Sequence, residues 1–207
     1  MSAADDHSYT TSVRVESDGT VDRVNPDAKS LRVLAHPMRS QILDILSREG
    51  PATGAMLGDR LDLRSGSISW HLQKLAEHGF VERVPDLGDG RERWFRSIFQ
   101  GIAYQYAEAM EAGPEEAASV TAYAKSRMTV ALVGATRFFD ENWSFEWRHA
   151  AIFNNYDLVL DPPALEEFRG EFWSMVERYR GNPSITPDAL HVTIAAQGYP
   201  HATQSSE

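Results

Sequence analysis

The stretch RSGSISWHLQKLAEHGF, residues 64–80, decides the fold of this chain. Ile68, Leu72 and Leu75 are spaced i, i+4 and i+7, so they share one face of a helix and are expected to pack inward. The opposite face is predicted to read bases in a DNA major groove, because it combines hydroxyl, indole, amide and ammonium groups. Its four residues are Ser69, Trp70, Gln73 and Lys74.

Two helices are predicted well before this stretch. The first covers residues 28–35 and begins after Pro26-Asp27. The second covers residues 38–49, where Pro37 suits the first helical turn and Gly50-Pro51 marks the end. Their leucines and isoleucines recur at helical spacing, so both helices are expected to contribute to one core.

A third helix is predicted immediately before the recognition helix, with Thr53 as its cap. It contains Gly54 and Gly58, and each glycine weakens a helix by about 1 kcal/mol relative to alanine. We therefore expect tertiary packing to hold this helix.

The recognition helix is predicted over residues 65–78. Ser65 or Ser67 is expected to cap it, since serine side chains accept hydrogen bonds from the free N–H groups of a first turn. Gly79 is expected to end it.

A basic wing is predicted to follow. Residues 80–84 and 91–98 read as antiparallel strands around the flexible tip DLGDG at 86–90. Surface arginines are usually only solvated. The arginines at positions 64, 91 and 93, however, lie before and after the recognition helix in the sequence, so contact with DNA phosphates is favoured. The residues predicted to contact phosphates are Arg64, Ser65, Ser67, His71, Arg91 and Arg93.

Three segments carry a family resemblance: LAHPMRSQILDILSREGPAT, SGSISWHLQKLAEHGFVERV and GDGRERWFR. In this order and spacing they resemble the winged-helix domain of the ArsR-type bacterial repressors, over about residues 30–97. Gly54 and Gly58 depart from the pattern, which usually has helix formers there. The resemblance implies a homodimer whose two recognition helices and wings meet successive major grooves of a near-palindromic operator.

Two aromatic side chains of the recognition helix have a second interpretation. Trp70 can contact a thymine methyl group or a sugar, or it can lean half-buried on the wing. His71 can donate to a phosphate, which the resemblance favours, or it can be a packing histidine.

The charge of the chain is unevenly distributed. The formal net charge is −10, which is unusual for a DNA-binding protein. Residues 28–100 contain 11 Lys and Arg against 9 Asp and Glu, a balance of +2, whereas the remainder contains 9 against 21, a balance of −12. The predicted DNA-binding part therefore carries the positive charge, although only modestly.

Other classes of function have little support in the sequence. The chain has no cysteine, which excludes disulfides and thiolate metal sites, and its histidines are dispersed, so we predict no metal and no cofactor. Catalytic motifs are lacking, and we predict that the protein is not an enzyme. With no apolar run of membrane-spanning length and no secretory signal, a cytoplasmic location is expected.

The flanking segments are predicted from weaker patterns. Residues 1–25 form a flexible arm or a short hairpin, since residues 12–24 alternate around Asp18-Gly19. Residues 100–200 are predicted to form a mostly helical dimerisation region, which is also a candidate for binding a ligand, and residues 201–207 a disordered tail. Within 100–200 we predict helices at 102–111, 114–139 and 163–180, and short strands at 158–160 and 190–196.

The helical region contains many aromatic residues. They form either a dimer interface or core, which is the commoner use of such a cluster, or an apolar pocket for a small-molecule effector. The six candidates are Phe138, Trp143, Trp147, Phe153, Phe172 and Trp173.

The predicted fold is mainly α (α+β winged helix): a winged helix-turn-helix DNA-binding domain at 26–99, followed by the mostly helical region with one or two short strands. The predicted function is that of a sequence-specific transcriptional regulator, a homodimeric repressor that binds double-stranded DNA. The alternative is a winged-helix protein-interaction module without specific DNA binding.

Overall fold

A computed structural model describes residues 13–17, 22–88, 92–99, 101–102 and 106–201 of the 207-residue chain. The chain divides into two compact units, and the boundary lies between Thr136 and Arg137. The arm at residues 1–12, the tip of the predicted hairpin and the tail beyond residue 201 lie outside the described residues.

The first element is the predicted hairpin. Strands β1 (Val13–Ser17) and β2 (Asp22–Pro26) are antiparallel, with Val15 opposite Val24. A hairpin therefore forms where a flexible arm was the alternative.

Helices α1 (Ala28–Leu34) and α2 (Pro37–Glu49) follow, as predicted. Asp27 caps α1 by accepting a hydrogen bond of 2.8 Å from the backbone N–H three residues on. His36 caps α2, because its Nδ1 accepts from the backbone N–H two residues on at 3.2 Å. Gly50, with φ 86°, ends α2 in a conformation that favours glycine.

Strand β3 (Ala52–Thr53) leads into α3 (Gly54–Leu61), and Thr53 caps α3 as predicted. The recognition helix is α4 (Ser65–Glu77). Its cap residue is Arg64, which makes no side-chain capping bond, so the prediction that Ser65 or Ser67 caps the helix is wrong. In the first turn of α4, the backbone N–H of Ser67 donates a hydrogen bond of 3.0 Å to the Arg64 carbonyl.

The turn between α3 and α4 depends on Gly58. The backbone N–H of Leu63 donates to the Gly58 carbonyl at 2.9 Å, and Asp62 takes the left-handed conformation with φ 53°. A β-carbon at Gly58 would lie 2.8 Å from the Leu63 carbonyl oxygen, closer than carbon and oxygen can approach. Gly58 is thus needed for the turn, and is more than a weak point of α3.

The wing forms as predicted, and a third strand joins it. Strands β4 (Val81–Arg83) and β5 (Trp94–Ser97) are antiparallel, and β3 pairs with β5 to give the order β3-β5-β4. Glu82 and Arg96 face each other across β4 and β5 and form an ion pair of 2.6 Å. The two-residue β3 was not predicted, because it is too short to show an alternating pattern.

Strand β6 (Gly101–Ile102) pairs in parallel with β2, so the prediction that a helix begins at residue 102 is wrong. The helix is α5 (Tyr106–Ala112), and it is followed by the long α6 (Pro114–Asp140).

The core of the first unit joins the winged helix to α6. Val120 and Tyr123 of α6 are buried in the cluster formed by α1 to α4 and the wing. Arg127 of α6 also donates two hydrogen bonds, of 2.9 and 2.7 Å, to the carboxylate of Asp44 on α2. The compact unit therefore extends past residue 99, where the predicted DNA-binding domain ends.

The second unit contains α7 (Phe145–Ala150) and α8 (Pro162–Gly181). The predicted helix at 163–180 is confirmed, and Asp161 caps it by accepting from the Ala164 N–H at 2.9 Å. The strands predicted at 158–160 and 190–196 are wrong, since both segments are irregular. Their apolar side chains are exposed, Val159 completely, so within the described chain they lack the packing that stabilises a strand.

We predict opposite results for alanine at the two glycines of α3. Gly58→Ala should lower the free energy of unfolding by about 1–3 kcal/mol, because the added carbon meets the Leu63 carbonyl. Gly54→Ala is the matched control: its added carbon would meet only Ile68 and Leu72 side chains at 3.9 Å, so it should be neutral or stabilising by up to about 1 kcal/mol. Urea unfolding of both variants checks this, and equal stabilities would contradict the role given to the turn.

Candidate nucleic-acid interface

Helix α4 presents the two faces that its sequence predicts. Ile68 and Leu75 are completely buried and Leu72 is 1% exposed, so the apolar face lies in the core. Ser69 and Gln73 are exposed, Trp70 is 51% exposed, and Lys74 is partly exposed. The predicted base-reading residues therefore lie together on one solvent-facing strip. Their contact with bases stays a prediction.

Glu77 lies at the end of this strip and was missed by the sequence reasoning. Its carboxylate accepts from the Gln73 amide at 3.0 Å and from the Lys74 ammonium at 2.6 Å. The hydrogen bond from Lys74 is the main reason why the pKa of Glu77 lies below its usual value. The i+3 and i+4 spacings in the sequence already permit these contacts. A contact of Gln73 or Lys74 with DNA therefore either competes with these two bonds or uses the other donors of the same groups.

The predicted phosphate ligands beside α4 are partly described. Arg64, at the start of α4, is exposed, and so are Ser67 and Arg93, which immediately precedes β5. Within the part of the chain that the structure describes, neither arginine forms an ion pair. Arg91 and the side chain of Ser65 lie outside it.

His71 is the predicted phosphate ligand with the least access to solvent, since it is only 6% exposed. Its ring packs 4.8 Å from that of His36 and 4.9 Å from that of Trp70, and its Nδ1 has no hydrogen-bond partner. This burial argues for the packing interpretation and against phosphate contact. Burial is also the largest cause that lowers the pKa of His71, followed by the charges of His36 and Arg39.

Two residues of helix α2 lie against Trp70 and His71 of α4, and the sequence did not predict either contact. The guanidinium of Arg39 lies over the Trp70 ring, 5.7 Å from its centroid, and His36 lies against His71. The described ring contacts of Trp70 are thus with Arg39 and His71, and none of them is with the wing. Arg39 and Trp70 are 31 positions apart and His36 and His71 are 35 positions apart, so no local pattern could have paired them.

Residues 34–84 match a family model described as a helix-turn-helix domain. The match spans α2, α3, α4 and β4, and the three-stranded sheet beside them supplies the wing. The chain carries a winged helix-turn-helix domain. This architecture is that of DNA-binding regulators. The match to the family model covers a quarter of the chain.

Comparison with solved structures gives only distant likenesses. A mutant of Lactococcus lactis ZitR in apo form is 16% identical, with coverage of 70% of this chain and 82% of that chain and a TM-score of 0.29. Wild-type Lactococcus lactis ZitR in complex with DNA is also 16% identical, with coverage of 80% and 79% and a TM-score of 0.26. No curated protein matches the chain.

Among the described residues, no three His, Cys, Asp or Glu side chains are grouped closely enough to hold a metal ion. None of the described helices is both long and apolar enough to cross a membrane.

The buried histidine predicts a pH dependence of stability. Because the pKa of His71 is lowered in the fold, the folded protein binds fewer protons than the unfolded chain near this pKa. Neutral His71 therefore contributes stability above the ordinary histidine pKa of about 6.5, and this contribution is lost as the pH falls below that value. We expect the wild type to lose stability between about pH 7 and pH 5, and His71→Gln to lose less over that interval. The measurement is urea unfolding at several pH values.

The matched control is His191→Gln, which replaces an exposed histidine of the second unit. This variant should follow the wild type. If the stability of the wild type and that of His71→Gln depend equally on pH, the pKa of His71 does not differ between the folded and the unfolded protein, which would contradict this prediction.

Proposed function

We propose that this protein is a sequence-specific DNA-binding transcriptional regulator, a homodimeric repressor of ArsR-like type. The observation that carries the proposal is the exposed strip of α4, flanked by Arg64 and Arg93 with no ion pair in the described chain. Hydroxyl, amide and ammonium groups can read base edges, and guanidinium groups can bind phosphates. In a two-fold dimer, two such helices would read the half-sites of a near-palindromic operator.

The distribution of charge supports an arrangement in which the winged helix faces the DNA. The balance of +2 over residues 28–100 contrasts with −12 over the rest of the chain. A phosphate backbone attracts the first segment and repels the second, so the winged helix is the part that would approach DNA.

The test of DNA binding is a selection of genomic fragments by the purified protein, followed by titration of the selected duplex at several salt concentrations. Lys74→Ala and Arg93→Ala should each weaken binding and reduce the salt slope by about one unit per lost phosphate contact. Lys125→Ala removes the same charge from an exposed position of α6 and serves as the control, with a slope like that of the wild type.

Enrichment of no sequence above the non-specific level would contradict the regulator. In that case the winged helix would serve as a protein-interaction module, the alternative function that this fold also supports.

The exposed apolar side chains from residue 127 onward support the homodimer. None of the described residues from 127 to 201 is buried, although this segment is rich in large apolar side chains. Helix α8 carries a stripe of them that includes Phe168 and Tyr179, and Trp173 lies beside this stripe; all three are about half exposed or more. Such a surface is unfavourable in water, and the long helices of this region are the part to which we assign dimer contacts.

The aromatic candidates of this unit form two groups. Phe138 stacks on Trp143 at 5.5 Å and contacts Phe153 at 5.4 Å, while Trp147 lies 6.5 Å from Trp143. Phe172 and Trp173 form a separate edge-on pair at 6.1 Å. All six remain partly or largely exposed. This exposure favours a surface that a second protomer covers, and it argues against a closed pocket. Binding of a small-molecule effector there stays a prediction.

The homodimer predicts a change of assembly when charge enters the exposed apolar surface of α8. Trp173→Glu should raise the dimer dissociation constant at least tenfold, about 1.4 kcal/mol, because an apolar contact is replaced by a charge. Ser174→Glu adds the same charge at the neighbouring exposed position, about 100° around the helix, and should dimerise like the wild type. Sedimentation equilibrium measures both, and a wild type that stays monomeric at micromolar concentration would exclude the dimer.

A further inference from the structure

Arg39 stands in a setting that is unusual for an arginine of this protein. Several other arginines of the first unit have carboxylate partners, whereas Arg64 and Arg93 are exposed: Arg48 and Arg60 pair with Glu49, and Arg96 pairs with Glu82. Within the described chain, Arg39 forms no ion pair, and its Nε is buried without a hydrogen-bond partner. A partly desolvated cation without a counter-charge is unfavourable, so an anion bound there would be stabilised.

The position of Arg39 identifies where that anion would lie. Its guanidinium lies over the exposed ring of Trp70, 5.7 Å from the centroid, in the second turn of α4. Recognition helices insert their first turns into the major groove, where the phosphates of the groove edge run close by. The Trp70 ring restricts the planar guanidinium beside this strip, which lowers the entropy that a contact would cost.

The neighbours of Arg39 strengthen the case for an anion. His36 caps the start of the same helix, and the His71 ring, 4.8 Å from His36, has an unpartnered Nδ1. The charge of Arg39 contributes to lowering the pKa of both histidines, after burial in the case of His36 and after burial and the other histidine in the case of His71. Burial lowers the pKa of Arg39 itself. The first turn of α2 adds N–H groups that also favour negative charge.

We propose that Arg39 binds a phosphate of the DNA backbone at the edge of the groove that α4 enters, held in place by its stack on Trp70. This contact rests on the proposed DNA-binding function and adds a residue of α2, outside the recognition helix, to the interface. It links α2 to the recognition helix through one cation. Because a phosphate carries no sequence information, Arg39 should raise affinity for all duplexes alike.

The experiment compares the salt dependence of duplex binding for the wild type, Arg39→Gln, Arg39→Lys and Arg48→Gln. Each protein is titrated with the duplex selected by the wild type and with a scrambled duplex of equal length. Arg39→Gln should reduce the salt slope by about one unit on both duplexes. Arg39→Lys keeps the charge and should retain the slope. Arg48→Gln removes a charge from the last turn of the same helix, where Arg48 pairs with Glu49, and should behave as the wild type.

Thermal unfolding of each variant separates phosphate contact from packing. A role limited to packing on Trp70 would lower the melting temperature of Arg39→Gln and leave its salt slope unchanged, which overturns the proposal. If Arg39→Gln does not fold, Arg39→Lys and Trp70→Phe provide the test. The proposal is supported if Arg39→Lys keeps the wild-type salt slope and Trp70→Phe binds both duplexes more weakly than the wild type. Any other result overturns the proposal. A wild type that binds neither duplex overturns the DNA-binding function and this contact together. Specific binding by the wild type with an unaltered slope in Arg39→Gln overturns the contact alone.

Discussion

The close approach of the Leu63 carbonyl to Gly58 is the contact on which the interface depends. Glycine alone leaves room there, and the left-handed Asp62 beside it completes a turn short enough to bring α4 back onto α3. This turn directs Ile68 and Leu72 into the core. With the apolar face fixed inward, the period of 3.6 residues leaves the polar strip of α4 outward. One backbone contact thereby positions the side chains to which we assign DNA reading.

The cations near α4 differ in how they are compensated, and this difference organises the proposed interface. Lys74 already has a partner in Glu77, so a contact of its ammonium with DNA competes with that ion pair and gains less affinity than the contact of a cation without a partner. Arg39, Arg64 and Arg93 have no ion pair within the described chain. A phosphate would meet these arginines without displacing a carboxylate. We therefore expect the arginines to supply most of the electrostatic affinity, and the strip that Glu77 holds in order to supply selectivity.

Much of the winged helix could be predicted from residue patterns, because its features are local. Thr53 as a cap, the proline that opens α2 and the i, i+4, i+7 stripe of α4 each act within a few residues. Predictions failed where local preference met longer-range pairing. Residues 101–102 pair with β2 instead of starting a helix, and residues 190–196, apolar and strand-like in composition, find no strand partner within the described chain.

The sequence by itself determined that α4 has a buried face and a hydrogen-bonding face, because helical periodicity fixes which side chains lie together whatever surrounds the helix. It could not determine that His71 lies inside, that Gly58 is required by a carbonyl five residues on, or that Arg39 stacks on Trp70. Those facts belong to the tertiary structure, since each joins atoms from elements whose contact is decided only when the whole core packs. The stretch from Arg64 to Phe80 thus specifies a reading helix, and its neighbours decide which cations stand beside it.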